Sequence, residues 1–210
     1  MDNISYSFNE EKTMKTLDRL KNHLHKGRVY RRRELTQWSL SVDRHLKELL
    51  NQGALQKMSQ GLYYYPKSVS FGEVPPKDEE LVQAFLKSND FLLTSYNYYN
   101  ELGVGTTQLY NHKLVYNFKR HGDFNLGGKV FSFRLKHKFP KTLSKEFLLV
   151  DLLNNLNELA EDKEAVLEVF TKKYFSPATV MLQETVDEYA GERTKNLLRN
   201  QVNKKVLVHA

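Results

Sequence analysis

Between residues 39 and 66 the hydrophobic rhythm of the chain changes twice. Val42, Leu46, Leu49 and Leu50 recur at the i, i+4, i+7, i+8 spacing of a single helical stripe. At about 100° per residue, Ser41, Arg44, Lys47, Glu48 and Asn51 fall on or near the opposite side, where they can touch something else. The spacing predicts a helix capped by Ser41 and ended by Gly53, which takes a left-handed conformation without steric penalty. Residues 54–58 alternate apolar and polar, Ser59-Gln60-Gly61 reads as a turn, and 62–65 as a second, aromatic-rich strand closed by Pro66. Upstream, Met14, Leu17, Leu20 and Leu24 predict a helix over 13–26 that stops at Gly27. A short edge strand at 28–30 is expected to pair with the later hairpin. A second helix is expected over 31–38, with Leu35 and Trp38 in the small core.

Helix, short strand, helix, helix and two-stranded hairpin is the layout of a winged helix-turn-helix, with 42–51 as recognition helix and 54–65 as wing. Beyond it, Pro75-Pro76 cannot continue a regular element, so an extended linker is expected before a second domain. Leu81, Val82, Phe85 and Leu86 then predict an amphipathic helix over 78–87. Strands are expected at 91–95, 114–118 and 129–136, the last two joined by a hairpin-like connection through 120–128. From Ser144 the period becomes helical, and apolar residues from Phe147 to Leu159 wrap most of the circumference, as in a central buried helix. Ser176-Pro177 reads as a further helix start, Gly191 separates it from a last helix over 193–202, and 203–210 frays or adds an edge strand. The fold class expected is α+β. A winged helix-turn-helix (1–70) and a linker (71–77) lead to a domain (78–210) with a small, mainly antiparallel sheet and a helical C-terminal part.

Charge gives this layout a purpose. The 210-residue chain carries net +7, and residues 1–70 hold 13 of its 32 lysines and arginines but only 7 of its 25 acids. Nearly all the excess sits on the winged-helix end, which favours attraction to a polyanion over a merely solvated surface. Ser41, Arg44 and Lys47 are then the residues to enter a major groove, Arg44 being the best suited to a guanine edge. Arg31, Arg32 and Arg33 supply sequence-independent affinity for phosphates. Asp43 and Glu48 on the same helix favour a defined site over non-specific coating. One winged helix reads a short half-site, so two molecules are expected on inverted half-sites, as a homodimer on the DNA.

The absence of cysteine excludes disulfides, thiolate metal sites and a cysteine nucleophile, and fits a cytoplasmic location. No apolar run approaches the about 20 residues of a membrane span, and the N-terminal stretch has no secretory pattern. His112, His121 and His137 have no metal-ligand spacing, Glu146 and Asp151 fall on different helical faces, and no serine sits in a nucleophile-elbow pattern. No metal, cofactor or catalytic residue is therefore expected. Gly103-Val104-Gly105-Thr106-Thr107 can be read as a phosphate cradle, but it lacks a Walker lysine and a complete dinucleotide fingerprint, so a structural connection is favoured.

Residues 94–128 carry a resemblance. Thr94-Ser95-Tyr96-Asn97, the stretch from Leu102 to Asn111 containing Gly103, Gly105, Thr106 and Thr107, then Val115-Tyr116-Asn117 and Lys119-Arg120-His121-Gly122 resemble the C-terminal domain of AbiEi-type antitoxins of bacterial type IV toxin-antitoxin systems. Gly61-Leu62-Tyr63-Tyr64-Tyr65-Pro66 is similar to that family's N-terminal domain, and the likeness covers about residues 13–160. It implies an antitoxin and DNA-binding autorepressor of its own operon. The double-stranded DNA would be its own promoter, and it would counter a nucleotidyltransferase-type toxin without an obligatory stable complex. Carried over, Ser41, Arg44 and Lys47 read the operator, and Arg31 to Arg33, Lys57 and Gln60 hold its backbone. The alternative is an enzyme, a nucleotide-dependent transferase or kinase, that acts on the toxin or a nucleic acid through Thr106, Thr107 and Arg120 and uses the winged helix for targeting.

Overall fold

The computed structural model describes residues 16–175 and 177–208, the last seven by backbone alone. Met14 and Ser176 lie outside the described residues. The chain divides into two compact units, one up to Asn89 together with 125–129, the other 90–124 with the chain from 130 onward.

In the first unit, helix α1 is described over residues 16–21. Strand β1 (Arg28–Arg31) and helix α2 (Arg32–Leu35) follow, then α3 (Val42–Asn51), β2 (Gln56–Ser59) and β3 (Leu62–Tyr65). The sheet order is β1-β3-β2. β1 pairs antiparallel with β3 from Arg28 opposite Tyr65 to Arg31 opposite Leu62, as the pattern predicted. β2 pairs with β3 through Lys57 opposite Tyr63 and then slips at Met58, leaving Ser59 opposite Leu62. Alternation along β3 turns Leu62 and Tyr64 inward. Leu17, Leu20, Leu35, Leu46 and Leu49 form the core beneath them.

Helix α2 is half the expected length. The Thr36 hydroxyl donates to the Arg33 carbonyl (2.7 Å), and Trp38 N–H closes a tight three-residue turn on the Leu35 carbonyl (3.1 Å). Local side-chain bonding of this kind competes with helix propagation. Trp38 is half-buried at the margin of the core, stacked on His23 with ring centroids 4.8 Å apart. The expected linker is also structured. β4 (Lys67–Val69) and β5 (Gly72–Val74) make an exposed two-stranded ribbon, Gly72 supplying φ 119 at its turn. Tyr64 Oη donates to the Val74 carbonyl (2.6 Å) and ties the ribbon to β3. Helix α4 (Asp78–Leu86), expected to open the second domain, belongs to the first unit.

A four-stranded sheet holds β6 (Phe91–Thr94), β7 (His112–Asn117), β8 (Gly122–Leu126) and β9 (Lys129–Leu135), in the order β6-β7-β9-β8, all in the second unit but for the 125–129 tip of the β8–β9 hairpin. β6 and β7 are antiparallel, but β7 and β9 run parallel, His112 opposite Val130 through Asn117 opposite Leu135. This corrects the expected hairpin between them. The intervening residues supply β8, which crosses to the far side of β9 and returns through Gly127-Gly128 with φ 61 and 83, the positive pair a tight hairpin turn needs. A 3₁₀ segment, Tyr96–Leu102, follows β6.

Ser144 caps α5 (Lys145–Asn155), its hydroxyl accepting from Phe147 N–H (3.1 Å). Leu149, Val150, Leu152 and Leu153 are buried almost all round that helix, as the continuous apolar run predicted. α6 (Lys163–Tyr174), capped by Asp162, was not anticipated. The helix expected from Ser176-Pro177 starts later, as α7 (Val180–Tyr189) capped by Thr179. α8 (Glu192–Val208) continues through 203–208, which were expected to fray or form a strand; 209–210 lie outside the described residues. The result is a mixed α+β protein with small, mainly antiparallel sheets and a helical C-terminal part. Among the described residues no helix is long and apolar enough to cross a membrane.

Candidate nucleic-acid interface

Helix α3 has two unlike faces. Val42, His45, Leu46 and Leu49 are buried, while Ser41, Asp43, Arg44 and Lys47 are exposed. Ser41 marks the start as predicted, yet its hydroxyl makes no cap hydrogen bond, so it remains available at the surface. Gly53 (φ 67) lies just past the end, which closes through Gln52 N–H to the Glu48 carbonyl (2.9 Å). Leu40, fully exposed, lines a shallow groove of about 340 Å³ with Arg32, Thr36, Ser41, Asp43 and Arg44.

The three arginines expected to face phosphates separate here. Arg31 is paired with Glu34, whose carboxylate also accepts from Arg31 N–H (3.0 Å), so this cation is spent on the start of α2. Arg32 donates from Nε and Nη2 to the two oxygens of Asp43, each at 2.6 Å. Asp43, expected to act outward, therefore joins the beginnings of α2 and α3. That hydrogen-bonded ion pair raises the Arg32 pKa and holds the Asp43 carboxyl below the usual range. Arg33 is exposed. In the β2–β3 hairpin Lys57 and Gln60 are exposed too.

His45 escaped the sequence reading. Three residues after Val42, it falls on the buried stripe, with Nδ1 2.8 Å from Ser39 Oγ and Nε2 3.5 Å from Thr16 Oγ1. Burial and the neighbouring Arg44 charge lower its pKa and favour the neutral ring. The signal was the helical spacing itself, read for aliphatic residues only.

In the second unit, the glycines and threonines that suggested a phosphate cradle are occupied internally. Gly103 and Gly105 adopt φ 62 and 91. Thr106 is buried, its hydroxyl donating to the Tyr99 carbonyl (2.8 Å), and Lys173 Nζ donates to the carbonyls of Leu102 and Gly103 (3.0 and 3.3 Å). The N–H groups of Thr107 and Gln108 both donate to Glu161 Oε1, at 2.8 and 2.9 Å. The loop does bind an anion, its own carboxylate. Lys119 and Arg120 stand elsewhere, at the end of β7, with their N–H groups on Asn117 Oδ1.

A buried polar cluster also went unforeseen. Asp151, fully buried in α5, accepts from Tyr99 Oη (2.8 Å) and Tyr116 Oη (2.8 and 2.9 Å) and pairs with Lys136 Nζ (3.1 Å). Asn155 Nδ2 donates to both tyrosine oxygens, at 3.1 and 2.9 Å. Burial first, and then the Asp151 charge, push both phenols well above their ordinary range. The Asp151 and Asn155 positions one turn apart were visible in the sequence, but their tyrosine partners come from β7 and the 3₁₀ segment. Among the described residues no group of three metal-ligating side chains converges. Compared with known proteins, the chain matches no family model, no curated protein and no solved structure.

Proposed function

We propose that the first unit is a winged helix-turn-helix that reads double-stranded DNA. We further propose that the chain is the antitoxin and autorepressor of a type IV toxin-antitoxin operon, acting in the cytoplasm. One observation carries the DNA reading: α3 buries Val42, His45, Leu46 and Leu49 and leaves Ser41, Arg44 and Lys47 exposed, directly before the β2–β3 hairpin with exposed Lys57 and Gln60. Arg44 and Lys47 lie on one exposed face of a helix in the basic first third of the chain, which suits base edges flanked by phosphates. Arg33, Lys57 and Gln60 hold the DNA backbone, while Arg31 and Arg32 act chiefly through the beginnings of α2 and α3.

The antitoxin half rests on the resemblance over residues 94–128 and on the second unit as a separately built body. Its loop 103–108 gives the enzyme reading no support, because the amides that would cradle a phosphate hold Glu161. Two experiments test the proposal. Hydroxyl-radical footprinting on the DNA upstream of the gene is expected to give two protected half-sites related by symmetry, with two molecules bound at saturation. A one-to-one complex contradicts the paired reading. Co-expression with a nucleotidyltransferase-type toxin encoded beside it is expected to restore growth; the lack of such a neighbouring gene, or toxicity that persists, contradicts the antitoxin role.

A further inference from the structure

The parallel strands β7 and β9 end side by side, with Asn117 opposite Leu135, and both segments leaving them are basic. Residues 118–121 read Phe-Lys-Arg-His and 136–141 read Lys-His-Lys-Phe-Pro-Lys, without a carboxylate in either. Lys119, Arg120, Lys138 and Lys141 are exposed. Lys136 is already committed, to Asp151 and to the Tyr116 ring 3.9 Å away. In open sheets with parallel strands, ligands sit outside the carboxyl ends of the strands.

These loops are held in place. The fully buried Asn117 accepts from Lys119 and Arg120 N–H groups through Oδ1, at 2.8 and 2.7 Å, and donates from Nδ2 to the Arg120 carbonyl at 3.0 Å. Lys136 N–H donates to the Asn117 carbonyl at 3.1 Å, so one asparagine ties both segments together. Across them Phe118 stacks on Phe139, ring centroids 4.7 Å apart at 28°, with Phe118 54% exposed. A solvated basic strand end explains the lysines but not an aromatic pair among them. An acidic protein would use the charges and leave the ring idle. Unpaired bases use both, stacking on the ring while their phosphates meet the cations. A duplex hides its bases.

We propose that this surface binds single-stranded nucleic acid, a base stacking on Phe118 and the backbone running along Lys119, Arg120 and Lys138. The site goes beyond the operator reading and does not depend on it. Fluorescence anisotropy with the full chain tests it, using a labelled single-stranded 12-mer as RNA or as DNA and a scrambled duplex as control. The single strand is expected to bind, with the RNA and DNA arms reporting which sugar is preferred. Phe118→Ala is expected to weaken binding roughly tenfold and Phe118→Tyr to preserve it. The Lys119→Ala/Arg120→Ala pair is expected to flatten the salt slope by about 1.4. Should Phe118→Ala lower the melting temperature, the tyrosine variant and the salt slope carry the test. Absence of single-strand binding overturns the proposal. So does equal affinity of the Phe118→Ala protein, or polyglutamate competing as well as an unlabelled oligonucleotide, which would mark an acidic protein as the partner.

Discussion

Arg32 grips Asp43 with both arms of its guanidinium, Nε to Oδ1 and Nη2 to Oδ2, each at 2.6 Å, fixing the start of α2 against the start of α3. With its pKa held below the usual carboxylate range, Asp43 keeps the pair ionised throughout the neutral region. The contact sequesters one cation from the proposed DNA face. Asp43→Asn is expected to release Arg32 to a phosphate and to steepen the dependence of log K on log salt by about 0.9. Salt titrations of the two proteins against one duplex check this, and an unchanged slope denies Arg32 that reserve role.

His45 links stability to pH. Its folded-state pKa is depressed by burial, so it stays neutral in the native protein at a pH where the unfolded chain takes up a proton. The stabilisation is present above about pH 6.5 and is lost as pH falls through the folded value. Urea midpoints are expected to drop between pH 7.5 and 5, and His45→Gln should make that drop shallower. An equal drop in both proteins would assign the pH dependence to other groups.

The buried cluster of the second unit should act as a structural unit. Tyr116 Oη reaches both Asp151 oxygens and takes a hydrogen bond from Asn155. Removing that hydroxyl is expected to cost about 1.5–3 kcal/mol, the range for a hydrogen bond to a charged group. Urea unfolding of Tyr116→Phe, alone and with Tyr99→Phe, checks the size and the non-additivity of the two losses. Operator affinity should stay as it was.

Glu161 closes the loop that looked like a phosphate cradle. Glu161→Ala is expected to speed amide hydrogen exchange at Thr107 and Gln108, whose N–H groups now donate to its carboxylate, while the interior of β7 keeps its protection. Unchanged exchange at both amides would show that some other group satisfies them.

The elements most legible in the sequence were those whose own residues decide them. The stripe Val42, Leu46, Leu49 set α3, and Ser144 with its apolar run set α5. What stayed hidden depends on partners distant in the chain. The parallel pairing of β7 with β9 was not legible locally: Leu114 to Asn117 are buried in succession, and a short buried run does not say which strand lies beside it or in which direction. The exposed β4–β5 ribbon has no buried face to announce it, only the Tyr64 bond to Val74. The same limit applied to the sites: Ser41, Arg44 and Lys47 share a face that spacing alone predicts, whereas the Arg32 pair and the tyrosine bonds of the Asp151 cluster join residues 11 to 56 positions apart.

The most direct test of the DNA reading is a salt-dependent titration of the full chain against its own upstream DNA and a scrambled duplex, with Arg44→Ala alongside. Tight binding to the upstream fragment is predicted, with weak binding to the scrambled one. Arg44→Ala should weaken the specific complex by about 1–3 kcal/mol and leave the weak one little changed. Equal affinity for both duplexes, or a variant as tight and selective as the wild type, would contradict recognition through α3.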